Sequence, residues 1–221
     1  MAAEDYLTEE EQAEALKKWL RENWIWMVAG VVLSLGLLAG WQRYQRFRID
    51  RAASAVGLLD QFATAQESDE PKAATLLKQL NDDYAATPYA DQAHLLVAQR
   101  AVQTGKLDQA TSELRVVMDS AHDEQLRSIA RLRLARVLIQ QQKADDALQI
   151  LNIDKAGAYA AQTHEVRGDA LYSKNDRNGA RAEYQAALDE YKKTPGADAS
   201  LLQLKADELN GDVVAASVTP K

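Results

Sequence analysis

The chain has 221 residues, with 33 acidic side chains against 26 lysines and arginines and no cysteine, for a formal net charge of −7. Without cysteine it can hold no disulfide, no reactive thiol and no lipid-modified cysteine anchor. Residues 52–221 hold 25 acids and 19 bases, and an acidic surface of that kind argues against nucleic acid as a partner, because phosphate backbones need a basic face.

Residues 1–23 form an acidic, amphipathic segment. Thr8-Glu9-Glu10-Glu11 has the pattern of a capping box, in which Glu11 reaches back to the Thr8 amide. Leu16, Trp19 and Leu20 then share one helical face, and Lys17 and Lys18 suit the negative end of the helix dipole. A short helix is predicted here, running towards residues 24–41.

Residues 24–41 read WIWMVAGVVLSLGLLAGW, eighteen residues without a charge. As helix they extend about 27 Å, enough for a hydrocarbon core. Trp24, Trp26 and Trp41 stand at the two ends, at the depth where amphipathic aromatic rings settle among lipid headgroups, and serve as the predicted membrane anchors. A cleaved signal peptide would need a short basic start and a pair of small residues at the cut. The acidic segment before the run, and the lack of such a pair after it, predict an uncleaved signal anchor instead. Lys17, Lys18 and Arg21 on one side face Arg43, Arg46, Arg48 and Arg51 on the other. That balance leaves the direction of the span open. Residues 42–51 read as a basic juxtamembrane linker.

Beyond residue 51 the hydrophobic spacing is helical almost throughout, and period-2 alternation is missing. Breaks fall near Ser68–Pro71, Thr87–Pro88, Thr104–Lys106, Ala121–Asp123, Gln142–Lys143, Lys155–Gly157, Asn175–Asn178 and Thr194–Gly196. Pro71, Pro88 and Pro195 suit first helical turns. About nine helices of roughly 10–18 residues are expected over 52–211. Residues 212–221 (DVVAASVTPK) lack helical periodicity and read as a loose tail.

Superposing the turns reveals a repeat. Ala110, Ala147 and Ala180 follow equivalent turns and lie 37 and 33 residues apart. Twelve residues before each stands a small residue, Ala98, Ala135 or Gly168, and nine before stands Ala101, Leu138 or Leu171. Four residues after each stands a large one, Leu114, Leu151 or Tyr184. Small residues let two helices cross closely, and the large one fills the gap to the next pair. This pattern resembles the tetratricopeptide repeat. It is degenerate, because the aromatic position early in helix A holds His94, Arg131 and His164 and the closing proline is absent. A weaker first unit is expected around Ala73 and Leu77. The predicted fold is all-α: a single N-terminal transmembrane helix, then an α-solenoid of degenerate tetratricopeptide repeats.

The chain offers little for catalysis. His94 and His164 fall at equivalent repeat positions, which marks them as packing residues, and no His-x₃-His or Glu-x₂-His spacing occurs within a helix. There is no glycine-rich phosphate loop and no nucleophile elbow. No catalytic residue, metal or cofactor is expected. The candidate working surface is the inner face of the stacked A helices. It carries Gln92, Leu95, Gln99, Val102, Leu132, Arg136, Ile139, Asp169 and Tyr172, with Gln103, Gln140 and Gln162 beside them. Such a groove can take an extended or helical segment of another protein.

The order of parts, with the strings QAEALKKWLREN (12–23), GWQRY (40–44), LRLARVL (132–138), ADDAL (144–148), RGDAL (167–171) and GAR (179–181), resembles the YfgM family of bacterial inner-membrane proteins, ancillary to the SecYEG translocon. The resemblance spans about residues 8–210. It implies a cytoplasmic N-terminus and a periplasmic repeat domain. It further implies partnership with the membrane-anchored chaperone PpiD in assisting polypeptides that emerge into the periplasm. A second family role, regulating the stability of RcsB, would fall to the cytoplasmic or membrane part. The residues alone also fit another membrane-tethered repeat scaffold, for example in envelope or cytochrome assembly.

Overall fold

In the computed structural model the described residues are 9–193 and 198–218, with side chains described over 12–193 and 198–209. Among them the secondary structure is helix alone. The helices are α1 (Glu9–Ser68), α2 (Glu70–Tyr84), α3 (Pro88–Gln103), α4 (Leu107–Ser120), α5 (Glu124–Gln140), α6 (Ala144–Ile150), α7 (Ala160–Ser173), α8 (Arg177–Lys192) and α9 (Ser200–Val218). The chain divides into two compact units, Met1–Ala53 and Ser54–Lys221.

The first unit is formed by α1. Thr8 and the Glu11 side chain of the expected capping box lie outside the described residues, as does Pro195. Helix α1 contains a stretch long and apolar enough to cross a membrane, and that stretch is wholly unburied by protein. Its one hydroxyl, Ser34 Oγ, donates to the Gly30 carbonyl at 2.8 Å, so that hydroxyl is not left unpaired in the apolar run. Residues 42–51, expected as a linker, are instead a continuation of α1. The cause is local. Between Gly40 and Gly57 there is neither glycine nor proline. Arg48 stacks over Tyr44 and Arg51 over Phe47, each with 5.9 Å from guanidinium carbon to ring centroid, and such i,i+4 pairs reinforce a helix.

The second unit is built of helix pairs. Helices α3 and α4, α5 and α6, and α7 and α8 form the three repeats read from the sequence. Every small or anchoring residue of the two tightest columns is buried: Ala98, Ala135 and Gly168 on the A helices, and Ala110, Ala147 and Ala180 on the B helices. Leu114, Leu151 and Tyr184 are buried four residues later. Each fully buried leucine contributes roughly 1.5–3 kcal/mol by leaving water. Before these pairs, the end of α1 shares an apolar cluster with α2 and α3, with Phe62, Leu80 and Ala93 at its centre, and Asp69 caps α2 by accepting from the Lys72 amide at 3.0 Å. Ala73 is buried there as expected, and Leu77 is half-buried.

The three repeat turns share a backbone device. The middle residue of each, Gly105, Gln142 and Asn175, has φ of 74°, 63° and 63°. Two of the three are not glycine, and Gln142 is a residue type rarely found there. The junction of α1 and α2 lacks this turn, since the two helices are separated only by Asp69.

Two expectations need correction. Helix α6 is seven residues long rather than ten or more, and short 3-10 turns at Ile153–Lys155 and Gly157–Tyr159 follow it. Leu151 still fills its column from just beyond the helix end, and Asn152 takes the chain out by accepting from the Asp154 amide at 2.8 Å. Residues 212–218, expected as a loose tail, continue α9. Once a helix is nucleated each further residue adds a hydrogen bond, and between Gly211 and Pro220 nothing breaks it. Residues 219–221 lie outside the described residues.

Gly168 is held to its size by Tyr184. A Cβ added at Gly168 would stand 2.4 Å from Tyr184 Cδ1 and Cε1. Gly168→Ala is therefore expected to cost about 1–3 kcal/mol through overpacking. In a Tyr184→Leu background, which restores the alanine-leucine pairing of the other units, the same change is expected to cost less than about 1 kcal/mol. Urea unfolding of the full chain in detergent measures both, and equal costs in the two backgrounds would refute the coupling. By the same assay Gln142→Gly is expected to stabilise the chain by about 0.5–1 kcal/mol, the relief of a left-handed backbone less the added freedom of the unfolded chain.

Candidate functional site

Helices α3 and α5 lie beside each other as A helices of successive repeats, with α4 behind them. A cleft of about 400 Å³ opens between them, lined by Leu95, Ala98, Gln99, Val102, Gln103, Leu114, Arg133, Arg136, Val137 and Gln140. Leu95, Ala98, Leu114 and Val137 are buried and form its apolar floor. Gln99, Val102, Gln103, Arg133, Arg136 and Gln140 are exposed and form its rim. The lining therefore has two cations, three amides and no acid, within an otherwise acidic domain. Its volume falls in the lower part of the range of small-ligand sites.

Of the nine residues singled out from the sequence, Leu95, Gln99, Val102 and Arg136 are brought together here. Gln92 is half-buried, just under two turns before Gln99 on α3. Leu132 is buried in the core shared by α3 to α7, and Ile139 packs partly buried against that core. Tyr172 is exposed on α7, outside this cleft. Ala98, Leu114, Arg133 and Val137 were missed. Leu114 had a signal, as the large residue that closes its own repeat. Arg133 had none, because its place on the rim depends on how α5 rotates against α3.

Asp169 is engaged within the domain rather than presented to a partner. Tyr184 donates its hydroxyl to Asp169 Oδ1 at 2.8 Å. Lys205 on α9 donates to Asp169 at 2.8 and 3.1 Å and to Glu165 at 2.9 Å. The Lys205 ammonium also stands 5.8 Å from the Tyr184 ring centroid. Burial alone would lower the Lys205 pKa, but the hydrogen bonds to Asp169 and Glu165 outweigh it and hold it above the ordinary lysine value. Burial, then the hydrogen bond to Asp169, raises the Tyr184 phenol far above the usual range, so it stays a neutral donor. Leu202, Ala206 and Leu209 of α9 pack on Ala180, Tyr184, Ala187 and Leu188 of α8. Helix α9 thus closes the last repeat and consumes the acids of α7.

The histidines staple helix pairs. His94 Nδ1 meets Glu113 Oε2 at 2.6 Å, and its Nε2 meets Asn81 Oδ1 at 3.1 Å. His164 Nδ1 meets Glu183 Oε2 at 2.7 Å, and Arg167 Nε donates to the other Glu183 oxygen at 2.8 Å. The two pairs occupy the same repeat positions. No group of three or more metal-ligating side chains occurs among the described residues. A second cleft, of about 450 Å³, opens where the end of α1 meets α2, α3 and α4. Glu67, Asp69, Glu70, Arg100, Lys106 and Glu113 give its walls mixed charge.

The sequence profile of the tetratricopeptide repeat-like domain family matches residues 17–211, so it takes in the apolar helix together with the repeats. A protein of Escherichia coli (strain K12) named ancillary SecYEG translocon subunit is 34% identical over 84% of this chain and 89% of its own length. The chain belongs to the YfgM family. Proteins of the same name from Haemophilus influenzae and Neisseria gonorrhoeae share 28% and 26% identity, over 82% and 92% of this chain and 89% and 98% of their own lengths. Family membership accounts for the order of parts, an apolar helix followed by degenerate repeats.

One buried acid gives the domain a pH signature. Asp91, one turn into α3, is buried, and burial raises its carboxyl pKa against the opposing pull of His94 and His122, with Asp123 adding to the rise. Because the folded value lies above the unfolded one, the ionised form destabilises the fold at neutral pH, and the penalty fades as pH falls through the folded value. Asp91→Asn is therefore expected to raise the unfolding midpoint at pH 7 and to give no gain below the ordinary carboxylate value of 3.8. Urea titrations at the two pH values measure this.

Proposed function

We propose that this chain is a binding scaffold anchored beside the SecYEG translocon of the bacterial inner membrane. Residues 24–41 span the membrane, with the N-terminus in the cytoplasm and the repeat domain in the periplasm. There the domain acts with the PpiD chaperone on polypeptides that emerge from the translocon. Two observations carry this reading: the family profile covers both the apolar helix and the repeats, and a relative 34% identical over 84% of this chain is named ancillary SecYEG translocon subunit.

The cleft between α3 and α5 suits such work. Its apolar floor receives small side chains of an extended segment, while Gln99, Gln103 and Gln140 can exchange hydrogen bonds with its main chain. The site is shallow and short, so each contact is weak and reversible. Weak holding fits a protein that receives chains and passes them on. The reading as a scaffold rather than an enzyme rests on this open, amide-rimmed surface.

A photo-crosslinking residue placed at Gln99 or Gln140 in membranes with intact translocons is expected to capture translocon subunits, PpiD or emerging chains. The same group at Ser112, exposed on α4 and outside the cleft lining, is expected to capture them several-fold less, since it lacks the cleft's contacts. Failure of both cleft positions to capture any of these would refute the reading. Protease added from the periplasmic side is expected to digest the repeat domain in intact spheroplasts, and its protection there would reverse the topology.

A further inference from the structure

The segment between the apolar span and the repeats is helix, so the depth of each of its side chains follows from the helix rise. Residues 42–51 hold Arg43, Arg46, Arg48 and Arg51 against a single acid, Asp50, with Tyr44 and Phe47 between them. All four arginines are exposed. Among the described residues Arg43, Arg46 and Arg48 enter no ion pair with a carboxylate.

At about 1.5 Å per residue, the backbone of Arg43 and Arg46 lies about 3 and 8 Å beyond Trp41 along the helix axis. Arg48 and Arg51 start further out but lean back one turn, with their guanidinium carbons 5.9 Å from the ring centroids of Tyr44 and Phe47. Helical side chains point in that direction by geometry. Those rings stand about 4.5 and 9 Å beyond Trp41 on the same scale. The polar layer on each side of a bilayer is about 5–8 Å thick. The backbones of Arg43 and Arg46 and the guanidinium groups of Arg48 and Arg51 therefore fall within a layer about as thick as that polar layer, and the four residues spread around the helix rather than along one stripe.

We propose that Arg43, Arg46 and Arg48 form a collar that selects anionic phospholipid headgroups around this end of the span. Guanidinium groups match phosphate oxygens in pairs, and each cation near an anionic surface adds to the attraction. Tyr44 and Phe47 fill the same layer and brace the arginines above them. The collar rests on reading residues 24–41 as a membrane span, but not on which way the span runs.

The test uses the full chain in vesicles, with Trp19, Trp24 and Trp26 replaced by Phe so that Trp41 is the only tryptophan and is excited selectively over tyrosine. Quenching of Trp41 by brominated phosphatidylglycerol is compared with quenching by brominated phosphatidylcholine at equal mole fraction. The anionic lipid is expected to quench about two-fold or more strongly, and Arg43→Gln, Arg46→Gln and Arg48→Gln together are expected to bring the ratio to one. Millimolar inorganic phosphate is expected to leave the ratio unchanged, and its collapse there would assign the arginines to free phosphate and overturn the collar. Equal quenching by the two lipids in the arginine-bearing chain, or a preference that survives the triple substitution, would also overturn it. Loss of quenching by both lipids would instead overturn the span itself.

Discussion

The domain depends on how closely two helices can approach. At each repeat a small residue on helix A and an alanine on helix B are removed from water together: Ala98 with Ala110, Ala135 with Ala147, and Gly168 with Ala180. Close approach lets a single large side chain four residues later seal the pair. It also sets the side-by-side spacing of the A helices, and hence the width of the cleft between α3 and α5. The His94–Glu113 and His164–Glu183 contacts then fix how α3 is rotated against α4 and α7 against α8. Rotation decides which side chains face the cleft.

Polar groups in this domain are used to end things. Lys205 gathers Asp169 and Glu165, with the Tyr184 hydroxyl on Asp169, into one hydrogen-bonded group of two acids on a single cation at the last repeat. Without the lysine two half-buried acids would face each other on α7, a costly arrangement. With it, the inner surface changes character along its length. It is apolar and mildly basic at α3 and α5, and closed by internal ion pairs at α7. A segment lying in the cleft therefore meets its chemistry over only part of the inner face.

The repeat columns were legible in the sequence because they are enforced locally by size. An alanine or glycine at a helix crossing has few alternatives, so Ala98, Ala135 and Gly168 stand out when the turns are aligned. The apolar span was legible for a similar reason, since a hydrocarbon layer excludes charge. What escaped was set by distance or continuity. Asp169 read as a groove residue because its partner Lys205 lies 36 residues further along the chain. Residues 42–51 read as a linker because their charge suggested solvent, whereas Arg48 over Tyr44 and Arg51 over Phe47 keep them helical. The shortness of α6 left no mark, because Leu151 fills its column whether or not the helix reaches it.

The contact between Gly168 and Tyr184 also orders the steps by which a repeat can change. Two units pair alanine with leucine and the third pairs glycine with tyrosine. Passing from one to the other by single substitutions offers two routes. Taking tyrosine first drives its ring onto a methyl group that has nowhere to move, since a Cβ at residue 168 would come within 2.4 Å of that ring. Taking glycine first leaves only a small void, at a cost of about 1 kcal/mol. One route crosses a barrier and the other a shallow dip, so the glycine has to arrive before the tyrosine, and the tyrosine has to leave before the glycine.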